Sequence, residues 1–218
     1  MRSIATISKR LEGKTVLITG ASSGIGRSVA REFSRTSPEN LRIILTARRL
    51  EALQQVAEDI RSEVGEGVKV YPVRLDISNS TEVETLISNL PEDFRDIDVL
   101  VNNAGLVRGV DKAPNINAED IRVMFDTNVT GLINLTQAVL PIFQKKNGGE
   151  NGGRGDVIMI GSIAGRDGYS GGSIYCATKA AVRVFTDALR KELIATRIRV
   201  IEIDPGQVET VCFFSSAF

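Results

Sequence analysis

The sequence predicts an α/β fold: a doubly wound parallel sheet with helices on both faces, in three α/β/α layers. Short apolar runs alternate with helical patterns from end to end. The first run, Thr15–Thr19 (TVLIT), leads at once into a glycine-rich turn and a helical pattern. A length of 218 residues, 42% hydrophobic and 25% charged, suits one domain (1–218) with a sizeable core.

Apolar, β-branched runs predict strands at Thr15–Thr19, Arg42–Ala47, Val68–Val73, Asp98–Asn102, Asp156–Ile160 and Arg199–Ile203. Apolar residues recurring at steps of three and four predict helices at Gly24–Arg35, Leu50–Val64, Ser80–Leu90, Ala118–Lys145 and Ser173–Thr196. Each helix lies between two strands, so right-handed crossovers are expected. Residues 1–12 read as an N-terminal arm. Asn147–Gly155 (NGGENGGRG) reads as a surface loop, and Arg154-Gly155-Asp156 as a chance tripeptide.

The 27 basic and 27 acidic residues cancel, so neither nucleic acid nor an anionic membrane is expected as a partner. No apolar run approaches the roughly 18 residues of a membrane span. Cys176 and Cys212 form no C-x-x-C pair, which fits a reducing compartment and a cytoplasmic protein. The chain contains no histidine. That excludes a Ser-His-Asp triad, a Cys-His pair and a His-ligated metal, and no metal site is expected. Any proton transfer falls to Tyr, Lys, Cys or a carboxylate.

The turn after the first strand reads Gly20-Ala21-Ser22-Ser23-Gly24-Ile25-Gly26. Gly20 permits a tight turn. Gly24 and Gly26 let the backbone and the helix start approach a pyrophosphate, whose charge the first amides bind. Ser22 and Ser23 add hydroxyl donors. The sheet is therefore expected to be Rossmann-type. An NAD site usually places an acid about 20 residues beyond the glycines. Here the second strand ends Thr46-Ala47-Arg48-Arg49, and Glu51 comes only later. The guanidiniums of Arg48 and Arg49 suit the 2′-phosphate of NADP. Asp76, after the third strand, reads either as a turn residue or as the acceptor of an adenine amino group.

Tyr175 and Lys179 lie one helical turn apart, with Cβ atoms expected about 6 Å from each other. A free tyrosine has a pKa of about 10, and a nearby ammonium favours the phenolate. Tyr175 is thus expected to take the proton of an alcohol as hydride leaves, or to return it to a carbonyl. Lys179 is also placed to hold the cofactor ribose. Ser162 ends the fifth strand, at the edge where open α/β sheets bind ligands, and its hydroxyl suits a substrate oxygen. Asn128 falls on the apolar stripe of the long helix, with Ile121, Met124, Leu132, Leu135, Val139 and Ile142. A buried amide without partners costs about 1–3 kcal/mol, so it is expected to bond backbone, Lys179 or an ordered water. Both a structural and a relay role fit it. Cys176 reads as a small helix residue.

Together these motifs resemble the short-chain dehydrogenase/reductase family. The likeness rests on Thr19–Gly26 (TGASSGIG), Asn102-Asn103-Ala104-Gly105, Asn128, Ser162, Tyr175-x-x-x-Lys179 and Pro205–Thr210 (PGQVET), in that order. It implies a catalytic tetrad of Asn128, Ser162, Tyr175 and Lys179. It places Asn103, Ala104 and Gly105 in support of the central sheet and beside the adenosine. It places Ile25, Asp76, Pro205, Gly206, Val208 and Thr210 at the NADP cofactor. It also implies a homo-oligomer built through the two long helices.

A closer likeness, in Ile160–Asp167 and Gly172–Lys179, is to the subgroup acting on serine and other 3-hydroxy acids. The expected substrate is then a small alcohol or carbonyl held by Ser162 and Tyr175. Arg166 reads either as a surface loop residue or as a holder of the substrate carboxylate. In the family the chain runs on past Thr210 into a substrate loop, a helix and a seventh strand. Here Val211–Phe218 is an atypical apolar tail, so the final strand is expected to be missing and a dimer is favoured over a tetramer. Two alternatives stand beside the 3-hydroxy acid dehydrogenase. One is an NADP-binding protein with little or no turnover, the other a broad carbonyl or 3-oxoacyl reductase.

Overall fold

A computed structural model describes residues 9–146 and 152–208. Its sheet contains β1 (Thr15–Thr19), β2 (Leu41–Ala47), β3 (Val68–Arg74), β4 (Val99–Asn102), β5 (Arg154–Ile160) and β6 (Arg197–Ile203). All pair in parallel, in the spatial order β3-β2-β1-β4-β5-β6. The helices are α1 (Gly24–Thr36), α2 (Leu50–Val64), α3 (Ser80–Asn89), α4 (Ala118–Phe125), α5 (Leu132–Lys145) and α6 (Ser173–Glu192). Every predicted strand forms. Three of them begin earlier than predicted, β2 at Leu41, β5 at Arg154 and β6 at Arg197.

Strand alternation divides the core between the two faces. Val16 and Ile18 turn to one side, against Ala30 of α1 and Leu53, Val56 and Ile60 of α2. Leu17 turns to the other, against Leu86 of α3, Leu135 and Val139 of α5, and Val182 and Leu189 of α6. Full burial of each such aliphatic chain is worth about 1.5–3 kcal/mol. The sheet grows outward in both directions from the β1–β4 pair. The C-terminal ends of those strands therefore border the crevice where such sheets hold ligands. Gly20 follows β1, Asn103 follows β4 and Ser162 lies just past β5.

Ala118–Lys145, predicted as one helix, is interrupted. Asp126–Gly131 forms a π-helical turn between α4 and α5. Gly131 allows close packing there, since a Cβ would lie 2.3 Å from the Ile77 carbonyl oxygen. One widened turn barely disturbs an apolar repeat, so the sequence pattern runs straight across it. Ser173–Thr196 is also shorter than predicted. The helix stops at Glu192, and the Thr196 hydroxyl donates to the Leu193 carbonyl at 2.8 Å. Residues 1–8, 147–151 and 209–218 lie outside the described residues. They include Thr210, Cys212, the tail Val211–Phe218, and parts of the predicted arm and surface loop. Among the described residues no helix is long and apolar enough to cross a membrane.

At the end of the sheet opposite the crevice, Asp98 ties three elements together. Its carboxylate accepts from Lys14 Nζ at 3.0 Å, Lys146 Nζ at 2.8 Å and the Thr15 amide at 3.0 Å. Burial alone would push its carboxyl up, but the bonds from Lys146, Thr15 and Lys14 hold it below the usual range. The stabilisation is therefore complete above the unfolded value of about 3.9 and is lost as pH falls through the lower folded value. Asp98→Asn should cost about 1.5–3 kcal/mol in urea unfolding at pH 7. The gap between variant and wild type should narrow steadily as the acid limb is approached.

Candidate active site

The glycine loop is shaped by its neighbours. Gly20 and Gly24 take φ of 65° and 53°, in the left-handed region where a side chain is strained. A Cβ on Gly26 would lie 2.5 Å from both the Gly20 carbonyl oxygen and the Asn103 side-chain nitrogen. The Asn103 carboxamide donates to the Thr19 carbonyl at 2.8 Å and the Gly20 carbonyl at 3.3 Å. The Thr19 hydroxyl accepts from the Asn103 and Ala104 amides, both at 2.9 Å. Asn103 and Ala104 thus brace the loop from below.

Ser23 caps α1 without a side-chain bond, and the first turn of α1 carries no acid. Its amides are consequently suited to an anion. Arg49 Nη2 donates to the Ser22 hydroxyl at 3.4 Å, so the basic pair begins at the rim of the loop. Arg48 and Arg49 are both exposed, and Ile25 is half-buried. The donors here (amides, hydroxyls and guanidiniums, with no opposing carboxylate in the first turn) fit a phosphorylated dinucleotide. Asp76 makes the turn contacts of its bland reading: one carboxylate oxygen accepts from the Ser78 amide at 3.1 Å and hydroxyl at 2.7 Å.

The four predicted catalytic side chains come together. Ser162 begins the short turn Ile163–Gly165, its hydroxyl accepting from the Ala164 amide at 3.1 Å and bonding the Tyr175 phenol. Lys179 is 6% exposed. Its ammonium donates to the Ile160 carbonyl at 2.8 Å and stands 5.8 Å from the Tyr175 ring centroid. Asn128, in the π-turn, accepts from the Leu106 amide at 2.8 Å. It donates to the Leu106 carbonyl at 2.9 Å and the Thr178 hydroxyl at 3.1 Å. Of the partners expected for it, backbone is the one found. Gly105 separates the two polar ends, and a Cβ there would lie 3.3 Å from Asn128 Oδ1 and 3.7 Å from Lys179 Nζ. The Pro205 carbonyl accepts from the Ile163 amide at 3.2 Å, and Gly206 lies beside Ile163, which brings the segment after β6 to this turn. Val208 is half-buried.

Burial pushes the Lys179 amine down to about 8, against the opposing pull of Asp204 and Glu202. Burial also pushes the Tyr175 phenol up, with the Ser162 bond acting the other way. The expected depression of Tyr175 by Lys179 is therefore not found in this structure, where desolvation dominates.

Arg166 is turned toward an internal carboxylate. Its Nε and Nη2 both meet Asp204 Oδ2, at 2.7 and 2.6 Å. It is absent from the lining of the recess at Tyr175, which includes Arg108, Asp120, Met124, Gly172 and Ile174. Sequence reasoning passed over Arg108. Its signal was position: it stands three residues beyond Gly105, just past the C-terminal end of β4.

A family model described as short chain dehydrogenase matches residues 14–216. The chain belongs to the short-chain dehydrogenase family. A relative in Schizosaccharomyces pombe, named NADP-dependent 3-hydroxy acid dehydrogenase, is 50% identical over 92% of this chain and 74% of its own length. Serine 3-dehydrogenase of Agrobacterium fabrum is 39% identical over 90% of this chain and 72% of its own. Among solved structures, the closed form of serine dehydrogenase complexed with NADP+ superposes with a TM-score of 0.80 at 38% identity. It covers 93% of this chain and 76% of its own. That superposition bears out the Rossmann-type fold expected for the parallel sheet described above.

Since Asp204 raises the Lys179 value, Asp204→Asn should move its titration midpoint below the wild-type value of about 8. NMR titration of the lysine side-chain nitrogen, assigned through Lys179→Met, would check the direction. An unmoved midpoint would count against electrostatic coupling between β6 and the lysine.

Proposed function

We propose that the protein is an NADP-dependent dehydrogenase of small 3-hydroxy acids such as serine. The observation that carries the reading is the grouping of Ser162, Tyr175, Lys179 and Asn128 at the C-terminal end of β5, beside the braced glycine loop of β1. The names of the Schizosaccharomyces and Agrobacterium relatives support the substrate class.

Gly20, Ser22, Ser23, Gly24, Ile25 and Gly26 would hold the pyrophosphate, and Arg48 and Arg49 the 2′-phosphate. Asn103, Ala104, Gly105 and Asp76 would line the adenosine side, and Pro205, Gly206 and Val208 would contact the cofactor, as would Thr210, which lies outside the described residues. When bound, NADP supplies the hydride acceptor or donor. Ser162 holds the substrate oxygen within reach of the Tyr175 phenol. Tyr175 takes the hydroxyl proton in oxidation and returns it to the carbonyl in reduction. The Lys179 ammonium, 5.8 Å from the Tyr175 ring centroid, would hold the ribose hydroxyls in place beside a phenol that burial makes harder to ionise. Asn128 fixes the Leu106 backbone beside them.

A second copy is proposed to pack on α5 and α6, where Val184 is 57% exposed on α6. A cytoplasmic setting goes with a free, buried Cys176.

Absorbance of reduced nicotinamide, followed with NADP+ and serine or 3-hydroxybutyrate, tests the reading directly. Tyr175→Phe should lower turnover by roughly 10²–10⁴-fold while NADPH still binds. NADPH binding without turnover of any alcohol by the wild type would leave only a nucleotide-binding protein. Replacing both Arg48 and Arg49 by Ala should reduce the preference for NADP+ over NAD+ by roughly 10–100-fold in kcat/KM. An unchanged preference would remove the pair from the cofactor site.

A further inference from the structure

We infer that Arg108 is the residue that anchors the substrate carboxylate, with Asp120 as its positioning residue. The inference rests on the dehydrogenase reading above and deepens it. A 3-hydroxy acid carries its carboxylate two bonds from the reacting carbinol carbon. A guanidinium in the same recess as Tyr175 suits it, through charge and paired N–H donors. Among the described residues lining that recess, Arg108 is the sole lysine or arginine.

The manner in which each arginine is paired separates Arg108 from Arg166. Arg166 uses both Nε and Nη2 on Asp204 and lines no part of the recess; the two side chains are similarly open to solvent, 60% for Arg166 and 51% for Arg108. Arg108 meets Asp120 Oδ1 through Nε at 2.7 Å. Among the described residues no hydrogen bond engages its Nη atoms, which leaves the outer edge of the fork for a second carboxylate.

The loop that carries Arg108 is held in place. Gly109 takes φ of 69°, and a Cβ there would lie 2.6 Å from Asp120 Oδ2. Gly171, in the turn before α6, comes so near that its Cβ would lie 3.1 Å from the Val110 carbonyl oxygen. The loop is thus clamped between α4 and the start of the helix bearing Tyr175. Asp120, 16% exposed in its side chain, neutralises the guanidinium while holding it. Asp111 also lines the recess but is exposed. The recess thereby has a proton carrier and a guanidinium paired through Nε both among its lining residues.

The test compares each acid with its methyl ester, which keeps the reacting alcohol and loses the charge. Wild type, Arg108→Gln, Arg108→Lys and Arg166→Gln would be assayed with NADP+ on serine, 3-hydroxybutyrate and both esters, with NADPH binding as the check on folding. Arg108→Gln should raise KM for the acids by about 10–100-fold and shift the esters by no more than about twofold. Arg108→Lys should recover part of the acid-over-ester selectivity, and Arg166→Gln should leave that selectivity as it is. Equal effects of Arg108→Gln on acid and ester, or a selectivity lost through Arg166→Gln instead, would overturn the anchor while the dehydrogenase reading stands. A wild type that binds NADPH but oxidises neither acid would sink the reading itself, and the anchor with it.

Discussion

The Asn103 carboxamide lies where β1 and β4 part, bonded to the carbonyls of Thr19 and Gly20 and pressed against the bare Cα of Gly26. Much of the remaining site depends on that contact. It fixes the path of the glycine loop, and so the direction in which α1 presents its first amides. It also fixes the start of the segment Ala104–Leu106, whose end is gripped by Asn128 from the π-turn. The two sides of the crevice are consequently set by one chain of short polar contacts running from β1 to α6 through Thr178. Side chains larger than hydrogen at Gly20, Gly26 or Gly105 would meet these groups at 2.5–3.3 Å, which explains why the loop and the turn after β4 are built from glycine.

The catalytic group is embedded in a low-dielectric setting that works against it in this structure. Lys179 is buried and gives up part of its basicity, while the Tyr175 phenol is made harder to ionise by the same burial. The Lys179–Ile160 bond and the Ser162–Tyr175 bond hold the geometry, and Asp204 and Glu202 partly offset the desolvation of the lysine. A site of this kind responds strongly to added charge, because a cation near the phenol acts with little solvent screening. That is the electrostatic setting a hydride-transfer site calls for. The carboxylates that support Lys179 come from β6 and the residue after it, so the edge of the sheet contributes to the chemistry as well as to the fold.

Much of this was legible in the one-dimensional pattern. The order of strands and helices, the glycine loop, the Arg48-Arg49 pair and the Tyr175–Lys179 spacing all depend on residues close in sequence. Local geometry translates them directly, since an i,i+4 pair shares a helix face and a glycine-rich turn after a strand bends one way. The π-turn at Asp126–Gly131 was not legible, because one widened turn leaves the apolar repeat nearly intact. The partners of Asp76 and Asn128 were not legible either, since the turn at Ser78 and the approach of Leu106 belong to the fold.

The sequence by itself determined the fold class, the glycine turn after the first strand and the residue types able to move a proton in a chain with no histidine. Only the tertiary structure decided which arginine belongs to which carboxylate. Arg166 and Asp204 stand 38 positions apart, yet the turn after β5 and the end of β6 bring them into contact. Arg108 drew no reading from the sequence, and it is the fold that sets it against Asp120 of α4. Charge pairing of this kind depends on distances of a few ångströms between distant segments. No periodicity or motif encodes it, and the fold must be assembled before the pairing exists.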